Sequence, residues 1–315
     1  MPDGARLRIA TRRSALALWQ AEHVRSALER HHDGLEVELV PVSTEGDRRL
    51  DVPLSEIGGK GVFATEVQAA VLDGRADLAV HSSKDLPART GDGLVLAAVP
   101  ERGDARDALV GARLDELATG AVVATGSMRR RALLAALRPD LRFAELRGNM
   151  ATRLAKADEF DAIVVAAVAF ERLGLGEHLS DVLDVDGFVP QVAQGALAVE
   201  CRSDDTATQQ LLAAVEHSPS RRRVTAERAF LAELGGDCTL PAGAHARVTA
   251  DGGLELLGVL ADRVGGTLLR ERVTLPVADE ATAPVLEELG RGLAARLRTR
   301  LEAGEGGGAD GGASR

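Results

Sequence analysis

The sequence predicts an α/β protein with two lobes, followed by a smaller α+β domain. The chain has 315 residues, which is more than a single hydrophobic core normally holds. Short apolar runs alternate with helical patterns as far as about residue 99, and the same alternation then starts again. From about Arg221 the pattern changes to one helix, a series of β-like runs and a final helix.

The first lobe is predicted to contain a parallel sheet with crossover helices. Its β-like runs are Arg8 to Thr11, Val37 to Val42, Leu78 to Val80 and Leu94 to Val99. Its helical patterns run from Ser14 to about Arg30 and from Val62 to Leu72. Parallel strands need a crossover between them, so strands and helices alternate along the chain. A later run, Ala196 to Arg202, is interpreted as helix-like, with Cys201 as a buried small apolar residue.

The second lobe repeats this pattern. Its β-like runs are Val122 to Ala124, Arg142 to Leu146 and Asp161 to Ala166. Ser127 is a suitable N-cap for a helix from Met128 to Leu137, and a short helix is expected near Thr152. Two similar α/β units in series predict two lobes with a cleft between them.

The last part of the chain is predicted to be an α+β domain with an antiparallel sheet. It begins with a helix to Leu234, whose first residues, Arg221 to Arg223, are expected to be solvated. The β-like runs are Ala244 to Thr249, Leu254 to Asp262 and Thr267 to Leu275, and a helix follows over about Ala278 to Leu301. Asp251-Gly252 and Gly265-Gly266 are typical of hairpin turns.

Composition excludes several classes of protein. No apolar run approaches the roughly 20 residues that cross a bilayer, and Met1 to Leu7 lacks the apolar core of a signal peptide, so a cytoplasmic location is expected. Cys201 and Cys238 are too few for a disulfide framework or a cysteine-rich metal site. The net charge of -10 and the aromatic content of 2% disfavour nucleic-acid binding. We expect neither a membrane nor a nucleic-acid partner, and no metal.

The segment His81 to Pro87 is the strongest candidate for a functional site. It follows the apolar run Leu78 to Val80 directly, and ligands of α/β sheets bind where strands end. Lysines are confined to positions 60, 84 and 156 in an arginine-rich chain, so Lys84 is a candidate for a role that arginine cannot fill. Asp85 fits either a catalytic carboxylate beside Lys84 or a turn residue before Leu86-Pro87.

Arginines are concentrated near predicted strand ends and helix starts. Ser127 follows a strand and opens a helix, so backbone N–H groups and guanidinium groups would face the same point, as in sites for carboxylates or phosphates. Solvated helix surface is the alternative for each arginine taken alone. The arginines concerned are Arg12, Arg13, Arg129, Arg130, Arg131, Arg147 and Arg153.

Two further motifs leave alternatives open. The stretch Gly58 to Gly61 resembles a phosphate-binding loop but lacks its spacing and terminal Lys-Ser/Thr, so a hinge or lid is the better interpretation. Cys238 follows two glycines and an acid, where a thiol would be accessible. A reactive role and a structural role are both open there, and covalent attachment of a group is the functional possibility.

Taken together, the motifs resemble the porphobilinogen deaminase (hydroxymethylbilane synthase) family over nearly the whole chain. The matching stretches are Arg8 to Arg12 with Ser14, Leu16 to Gln20, Gly58 to Gly61 with Phe63, Ala79 to Ser82 with Lys84-Asp85, Arg129-Arg130, Leu146 to Asn149, Thr152 to Leu154, Arg172 to Leu175, Gln194 to Ala196, Glu200 to Arg202 and Val224 to Arg228.

The resemblance implies a transferase of tetrapyrrole and haem biosynthesis. Such an enzyme links four porphobilinogen units head to tail with loss of ammonia and releases hydroxymethylbilane. The resemblance also implies a dipyrromethane cofactor held as a thioether on Cys238, and a monomer is expected. The implied fold is two periplasmic-binding-protein-like α/β lobes with a cleft between them, plus a C-terminal α+β domain with a three-stranded antiparallel sheet. The implied boundaries are 1–99 with 196–216, 100–195 and 217–302, with a disordered tail at 303–315.

The resemblance also implies roles for individual residues. Asp85 and Lys84 are the catalytic residues, Asp85 facing the pyrrole nitrogens and stabilising the cationic azafulvene. Cofactor contacts are implied for Arg129, Arg130, Lys84, Ser82, Thr125 and Ser127. Substrate contacts are implied for Arg12, Ser14, Arg147, Arg153, Arg172, Gln194, Lys60 and Phe63. Each pyrrole carries two carboxylates, which explains the need for many guanidinium groups.

One departure from the family pattern carries a structural expectation. Ala193 and Ala169 stand where the family commonly has glycine. We expect the alanine Cβ to exclude strongly left-handed backbone at these positions, so that these turns differ from the family's.

Two other classes of protein remain as alternatives. A two-lobed solute-binding or sensor module would share the architecture, but it gives Cys238 no role. A phosphate-transferring enzyme using Gly58 to Gly61 would need a metal site, and the sequence offers no convincing carboxylate cluster for one.

Overall fold

A computed structural model describes residues 6–44, 64–236, 240–262, 266–276 and 281–304. Its strands are β1 Arg6–Arg12, β2 Glu36–Val42, β3 Leu78–Ser82, β4 Leu94–Ala98, β5 Asp107–Val110, β6 Val122–Ala124, β7 Arg142–Ala144, β8 Ala162–Ala166, β9 Asp181–Val182, β10 Leu197–Arg202, β11 Ala242–Val248, β12 Leu254–Ala261 and β13 Leu268–Leu275. Its helices are α1 Ala15–His31, α2 Thr65–Leu72, α3 Met128–Leu137, α4 Met150–Ala155, α5 Ala167–Arg172, α6 Thr206–Leu212, α7 Ser218–Glu233 and α8 Ala283–Glu302. None of these helices is long and apolar enough to cross a membrane.

The first sheet has the strand order β2-β1-β3-β10-β4 and is mixed rather than parallel. Strand β1 is parallel to β2 and β3, whereas β10 is antiparallel to both β3 and β4. The helix-like interpretation of Ala196 to Arg202 is therefore wrong. This strand lies inside the sheet and is buried on both faces, so its apolar residues do not alternate, and a short run of that kind resembles a buried helix. Cys201 is buried, as expected.

The second sheet repeats this arrangement in the order β7-β6-β8-β5-β9. Strand β6 is parallel to β7 and β8, and β5 is antiparallel to β8 and β9. The prediction of two α/β lobes is confirmed, although it did not include the short strands β5 and β9. Helix α3 begins and ends at the predicted residues, with the Ser127 hydroxyl accepting a hydrogen bond from the Arg130 N–H.

The chain crosses between the lobes twice, through residues 99–106 and 183–196. The second crossover contains Ala193, whose φ is 58°. The expectation that alanine excludes left-handed backbone at this position is wrong. The Ala193 N–H donates a 2.7 Å hydrogen bond to Glu227, and this buried contact holds the residue in a conformation that glycine adopts more easily.

The third sheet is antiparallel in the order β11-β12-β13, as predicted. Helices α7 and α8 pack on one face through Phe230 and Leu293, and on the other Leu257 and Val259 join the core of the second lobe. Helix α7 begins at Ser218, with Pro219 in its first turn. The expectation of a solvated Arg221 is wrong, because its guanidinium donates to the backbone oxygens of Leu96 and Ala97 in the first sheet.

A buried ion pair joins the crossovers to the third sheet. The two terminal nitrogens of Arg102 lie 2.6 and 3.1 Å from the carboxylate oxygens of Glu227 on α7. The same carboxylate accepts hydrogen bonds from the Ala193 N–H at 2.7 Å and the Ala246 N–H at 2.8 Å. The side chains of the pair are only 1% and 0% exposed. Every oxygen of Glu227 is thus satisfied by groups from separate parts of the chain.

We predict that Glu227→Gln lowers the free energy of unfolding by about 3–5 kcal/mol, because it leaves the Arg102 charge buried without a counter-charge. Urea denaturation followed by circular dichroism measures this loss. The matched control is Glu233→Gln on the same helix, whose pair with Arg298 is 29% and 43% exposed and should contribute at most about 1 kcal/mol. Equal losses in the two variants would contradict the prediction.

Candidate active site

The loop after β3 forms one wall of the candidate site. Strand β3 ends at Ser82, a single 3₁₀ turn covers Ser83–Asp85, and Pro87 then prevents the turn from continuing. The Ser83 N–H donates to the backbone oxygen of Ala196, at the end of the second crossover. The sheet and the crossover therefore fix the backbone that carries Lys84 and Asp85.

Lys84 is held from both ends by the second crossover. Its ammonium donates a 3.0 Å hydrogen bond to the side-chain oxygen of Gln194, and its backbone oxygen accepts one from Gln191 at 3.3 Å. The Gln194 side-chain nitrogen in turn donates to Asp107 on β5 at 2.9 Å. A chain of polar contacts therefore runs from the first lobe through the crossover to the second.

The environment of Lys84 lowers the pKa of its ammonium to about 8. Loss of hydration is the main cause. The charge of Asp85, and to a smaller extent that of Asp107, raises this pKa, whereas the charges of Arg130 and Arg153 lower it further. These charges belong to both lobes, so the structure brings the predicted residues Lys84, Asp85, Arg130 and Arg153 into one electrostatic site.

Arg129 and Arg130 share the carboxylate of Asp107. Arg129 lies 2.7 Å and Arg130 2.6 Å from separate oxygens of this group. One further terminal nitrogen of each donates to a backbone oxygen, that of Val189 for Arg129 and that of Val164 for Arg130. Burial tends to raise the pKa of Asp107, but the two guanidinium groups outweigh that effect and hold it well below its usual range. The trio is buried and carries one net positive charge.

A second group of arginines lies around Glu145. This exposed carboxylate is 2.8 Å from Arg131 and 3.4 Å from Arg147. Arg153 on α4 donates to the Gly148 backbone oxygen at 2.9 Å, and burial lowers its pKa to about 10, so it stays charged at neutral pH. Arg130, Asp85, Arg147 and Glu145 all act on the Arg153 charge, which places this group beside the loop after β3.

The predicted hydroxyl residues serve partly as caps. Ser14 caps α1 by accepting from the Ala17 N–H at 3.3 Å, and Thr125 accepts from the Ser127 N–H at 3.2 Å.

Two further predicted arginines lie at the ends of their elements. Arg12 lies at the end of β1, two residues before Ser14, and is partly buried. Arg172 ends α5 and donates to the Gly195 backbone oxygen at 2.8 Å. Lys60, Phe63, Cys238 and the stretch Gly58 to Gly61 lie outside the described residues.

Two family models match the chain. The model "Porphobilinogen deaminase, dipyromethane cofactor binding domain" matches residues 7–210, and "Porphobilinogen deaminase, C-terminal domain" matches residues 221–298. The chain belongs to the porphobilinogen deaminase family. The resemblance drawn from the motifs is confirmed by these matches.

Curated relatives agree with the family models. The porphobilinogen deaminase of Nitratidesulfovibrio vulgaris is 49% identical over 298 residues, which cover 93% of each chain. That of Syntrophotalea carbinolica is 48% identical over 277 residues, covering 86% of this chain and 88% of the relative. Among solved structures, the methionine binding protein MetQ aligns with a TM-score of 0.41 at 15% identity, over 67% of this chain and 89% of that one.

Family membership establishes the chemistry of the chain. It is a transferase of tetrapyrrole biosynthesis that condenses porphobilinogen, and its cofactor is dipyrromethane. The residues of the site fit such a cofactor, because its carboxylates need cationic donors and its pyrrole N–H groups need an acceptor. The site offers Lys84 and the arginines as donors and Asp85 as the acceptor. Among the described residues, the buried Arg129 Nε and Ser83 hydroxyl also lack hydrogen-bond partners.

Sequence reasoning missed three residues that organise the site. Asp107 pairs with both Arg129 and Arg130, yet it opens a strand that was not predicted. Gln191 has no motif of its own and reaches Lys84 only because the crossover folds back. Trp19 lies against Arg172 from the other lobe. For Asp107 the sequence held one signal, an acidic residue at the start of the apolar run Asp107 to Val110. A carboxylate at the start of a buried strand requires a cationic partner, which would have pointed to the arginines.

Proposed function

We propose that the loop after β3 and the arginines of the second lobe together carry the condensation of porphobilinogen in this chain. The observation that carries the proposal is the convergence of Lys84, Asp85, Arg130 and Arg153, whose charges act on one another across the lobes. Cations in this position would bind the acetate and propionate groups of the pyrroles, and the one carboxylate among them would face the ring nitrogens.

The proposed role of Asp85 is electrostatic. When ammonia leaves the aminomethyl group of the substrate, positive charge develops on the pyrrole, and a fixed carboxylate stabilises it. The 3₁₀ turn and Pro87 hold the backbone of Asp85, so little reorganisation is needed at the moment of reaction.

The proposed anion-binding groups fall into two kinds. Arg129, Arg130 and Arg147 share carboxylates of the protein, whereas Arg153 and Arg172 donate only to backbone oxygens among the described residues. Lys84, which directly precedes Asp85, supplies an ammonium group. Ser14, Ser82, Thr125 and Ser127 contribute hydroxyl groups, and Arg12, Lys60, Phe63 and Gln194 complete the proposed set of ligand contacts.

Cys238 is the proposed attachment point of the dipyrromethane cofactor. The chain has one other thiol, Cys201, and that residue is fully buried in β10. Burial raises the pKa of the Cys201 thiol to about 11, which suppresses the reactive thiolate. A dipyrromethane bound there as a thioether would supply the pyrrole end to which the first substrate is joined.

We propose the domain boundaries 1–99 with 196–216, 100–195 and 217–302. The strands of each sheet fall inside one of these ranges, which supports the division. We also propose that the protein works as a cytoplasmic monomer on a small-molecule substrate and binds no nucleic acid. The acidic net charge of -10 supports the last point.

We predict that the intact denatured mass of the protein purified from its host exceeds the polypeptide mass by two linked pyrrole units. Cys238→Ala should remove this excess, because it removes the proposed attachment point. The matched control is Cys201→Ala, which should keep it. An excess that survives Cys238→Ala would exclude this residue as the attachment point.

We predict that Asp85→Asn retains the fold but lowers kcat about 100-fold or more, because the amide keeps the shape and loses the charge. Product formation by the purified holoenzyme variant measures the effect. Asp92→Asn, an exposed carboxylate on the segment before β4, is the control and should have wild-type activity. Near-normal turnover by Asp85→Asn would contradict the electrostatic role.

We predict that kcat/KM falls as the pH rises through about 8, because Lys84 then loses the proton that makes it a carboxylate donor. Below that pH the ammonium is charged and this contribution is complete. Lys84→Arg should be less active but should lack this descending limb, since a guanidinium keeps its charge. The pH profiles of the two proteins test the assignment. A fall in kcat/KM above this pH that persists in Lys84→Arg would contradict the assignment, because it would then come from the substrate or from another group of the protein.

A further inference from the structure

Trp19 and Arg172 meet across the two lobes. The central carbon of the Arg172 guanidinium lies over the Trp19 ring, 5.2 Å from its centroid. Trp19 belongs to α1 of the first lobe and Arg172 to the last turn of α5 of the second. One turn earlier on α1, Leu16 packs against the cluster formed by Val168 and Ala169 on α5. The two helices thus present matching faces, and the cation–π contact is part of that interface.

Most donors of Arg172 are left available. One terminal nitrogen donates to the Gly195 backbone oxygen at 2.8 Å. Among the described residues, no carboxylate forms an ion pair with this guanidinium, and none of its nitrogens is both buried and without a partner. Burial lowers the pKa of Arg172 to about 10, against a smaller opposing effect of Glu171, so it is charged at neutral pH. The guanidinium is held in place, and its other N–H groups have no hydrogen-bond acceptor among the described residues.

His23 also contacts the Trp19 ring, and it adds no second positive charge beside Arg172. His23 stacks on the indole with centroids 5.2 Å apart and an interplanar angle of 11°. Burial lowers the pKa of His23, and the charges of Arg172 and Arg30 lower it further. The imidazole is therefore neutral at neutral pH and does not compete with Arg172 as a cation.

We infer that Trp19 is a positioning residue, which holds the Arg172 guanidinium in the cleft so that it can bind a carboxylate of the pyrrole substrate. The inference rests on the proposed role of Arg172 in substrate binding. Tryptophan gives the strongest cation–π contact of the aromatic side chains. An arginine held in one rotamer loses less entropy when a ligand binds than a free one. Because the indole is neutral, it holds the guanidinium in place and leaves its positive charge to pair with the carboxylate of the ligand.

The first test compares Trp19→Leu with Trp19→Phe in the purified holoenzyme. Trp19→Leu keeps an apolar side chain but removes the π face, and it should raise the KM for porphobilinogen about three- to tenfold with a smaller effect on kcat. Trp19→Phe should restore most of the loss, since it keeps an aromatic face. Trp19 is 36% exposed, so both variants should fold, and thermal unfolding checks this.

A double-variant comparison separates the inference from the proposed function. Arg172→Gln should raise KM at least as much as Trp19→Leu, and the combined variant should have the KM of Arg172→Gln alone. A wild-type KM in Arg172→Gln would overturn the proposed role of Arg172 itself. A raised KM in Arg172→Gln with a wild-type KM in Trp19→Leu, or effects that multiply in the combined variant, would overturn the positioning role alone.

Fluorescence reports the contact without turnover. The chain has one tryptophan and no tyrosine, so its emission comes from Trp19. Arg172→Gln should change the emission intensity or maximum because it removes the cation from the ring. Arg113→Gln, an exposed arginine that pairs with Asp115, should leave the emission unchanged. Identical spectra for wild type and Arg172→Gln would overturn the contact on which the inference depends.

Discussion

The buried carboxylate of Glu227 holds three parts of the chain at one point. It binds Arg102 on the first crossover, Ala193 on the second and Ala246 on β11. Arg102 also donates to the Gln194 backbone oxygen at 2.8 Å, so the residue that contacts Lys84 is fixed by the same ion pair. A buried pair gains stability only when all its hydrogen bonds are made, and this one makes them between separate units. The active-site loop therefore depends on a contact outside the cleft.

The site keeps a surplus of positive charge in a protein that is acidic overall. Asp107 neutralises one of the two guanidinium groups that it binds, and Glu145 is shared by Arg131 and Arg147. Lys84, Arg153 and Arg172 have no ion pair shorter than 4 Å among the described residues. Because the field in a cleft is local, the net charge of -10 does not prevent binding of an acidic ligand. We propose that the carboxylates of the substrate and cofactor supply the counter-charges for these cations.

The sequence predicts those elements of the fold whose apolar pattern is long and has clear ends. Helix α3 follows from Ser127 as its cap, and the hairpin at Gly252 follows from its turn residues, with φ at 81°. Strand β10 was missed because burial on both faces removes the alternation that distinguishes a strand. Strands β5 and β9 have four and two residues, too few for any periodic signal. The antiparallel members of both sheets therefore appear only in the folded chain.

The same limit explains which parts of the site could be predicted. Reasoning from strand ends located Lys84, Asp85 and Ser127, because each follows directly on a recognisable apolar run. It did not reveal which partner each cation would choose, since that choice depends on crossovers without periodicity. Gln194 is the clearest case, because one amide accepts from Lys84 and donates to Asp107, residues 110 and 87 positions away. Any movement that separates the lobes must break or stretch the hydrogen bonds that join Lys84 to Asp107 through Gln194. The hydrogen bonding of the Lys84 ammonium therefore depends on the distance between the lobes.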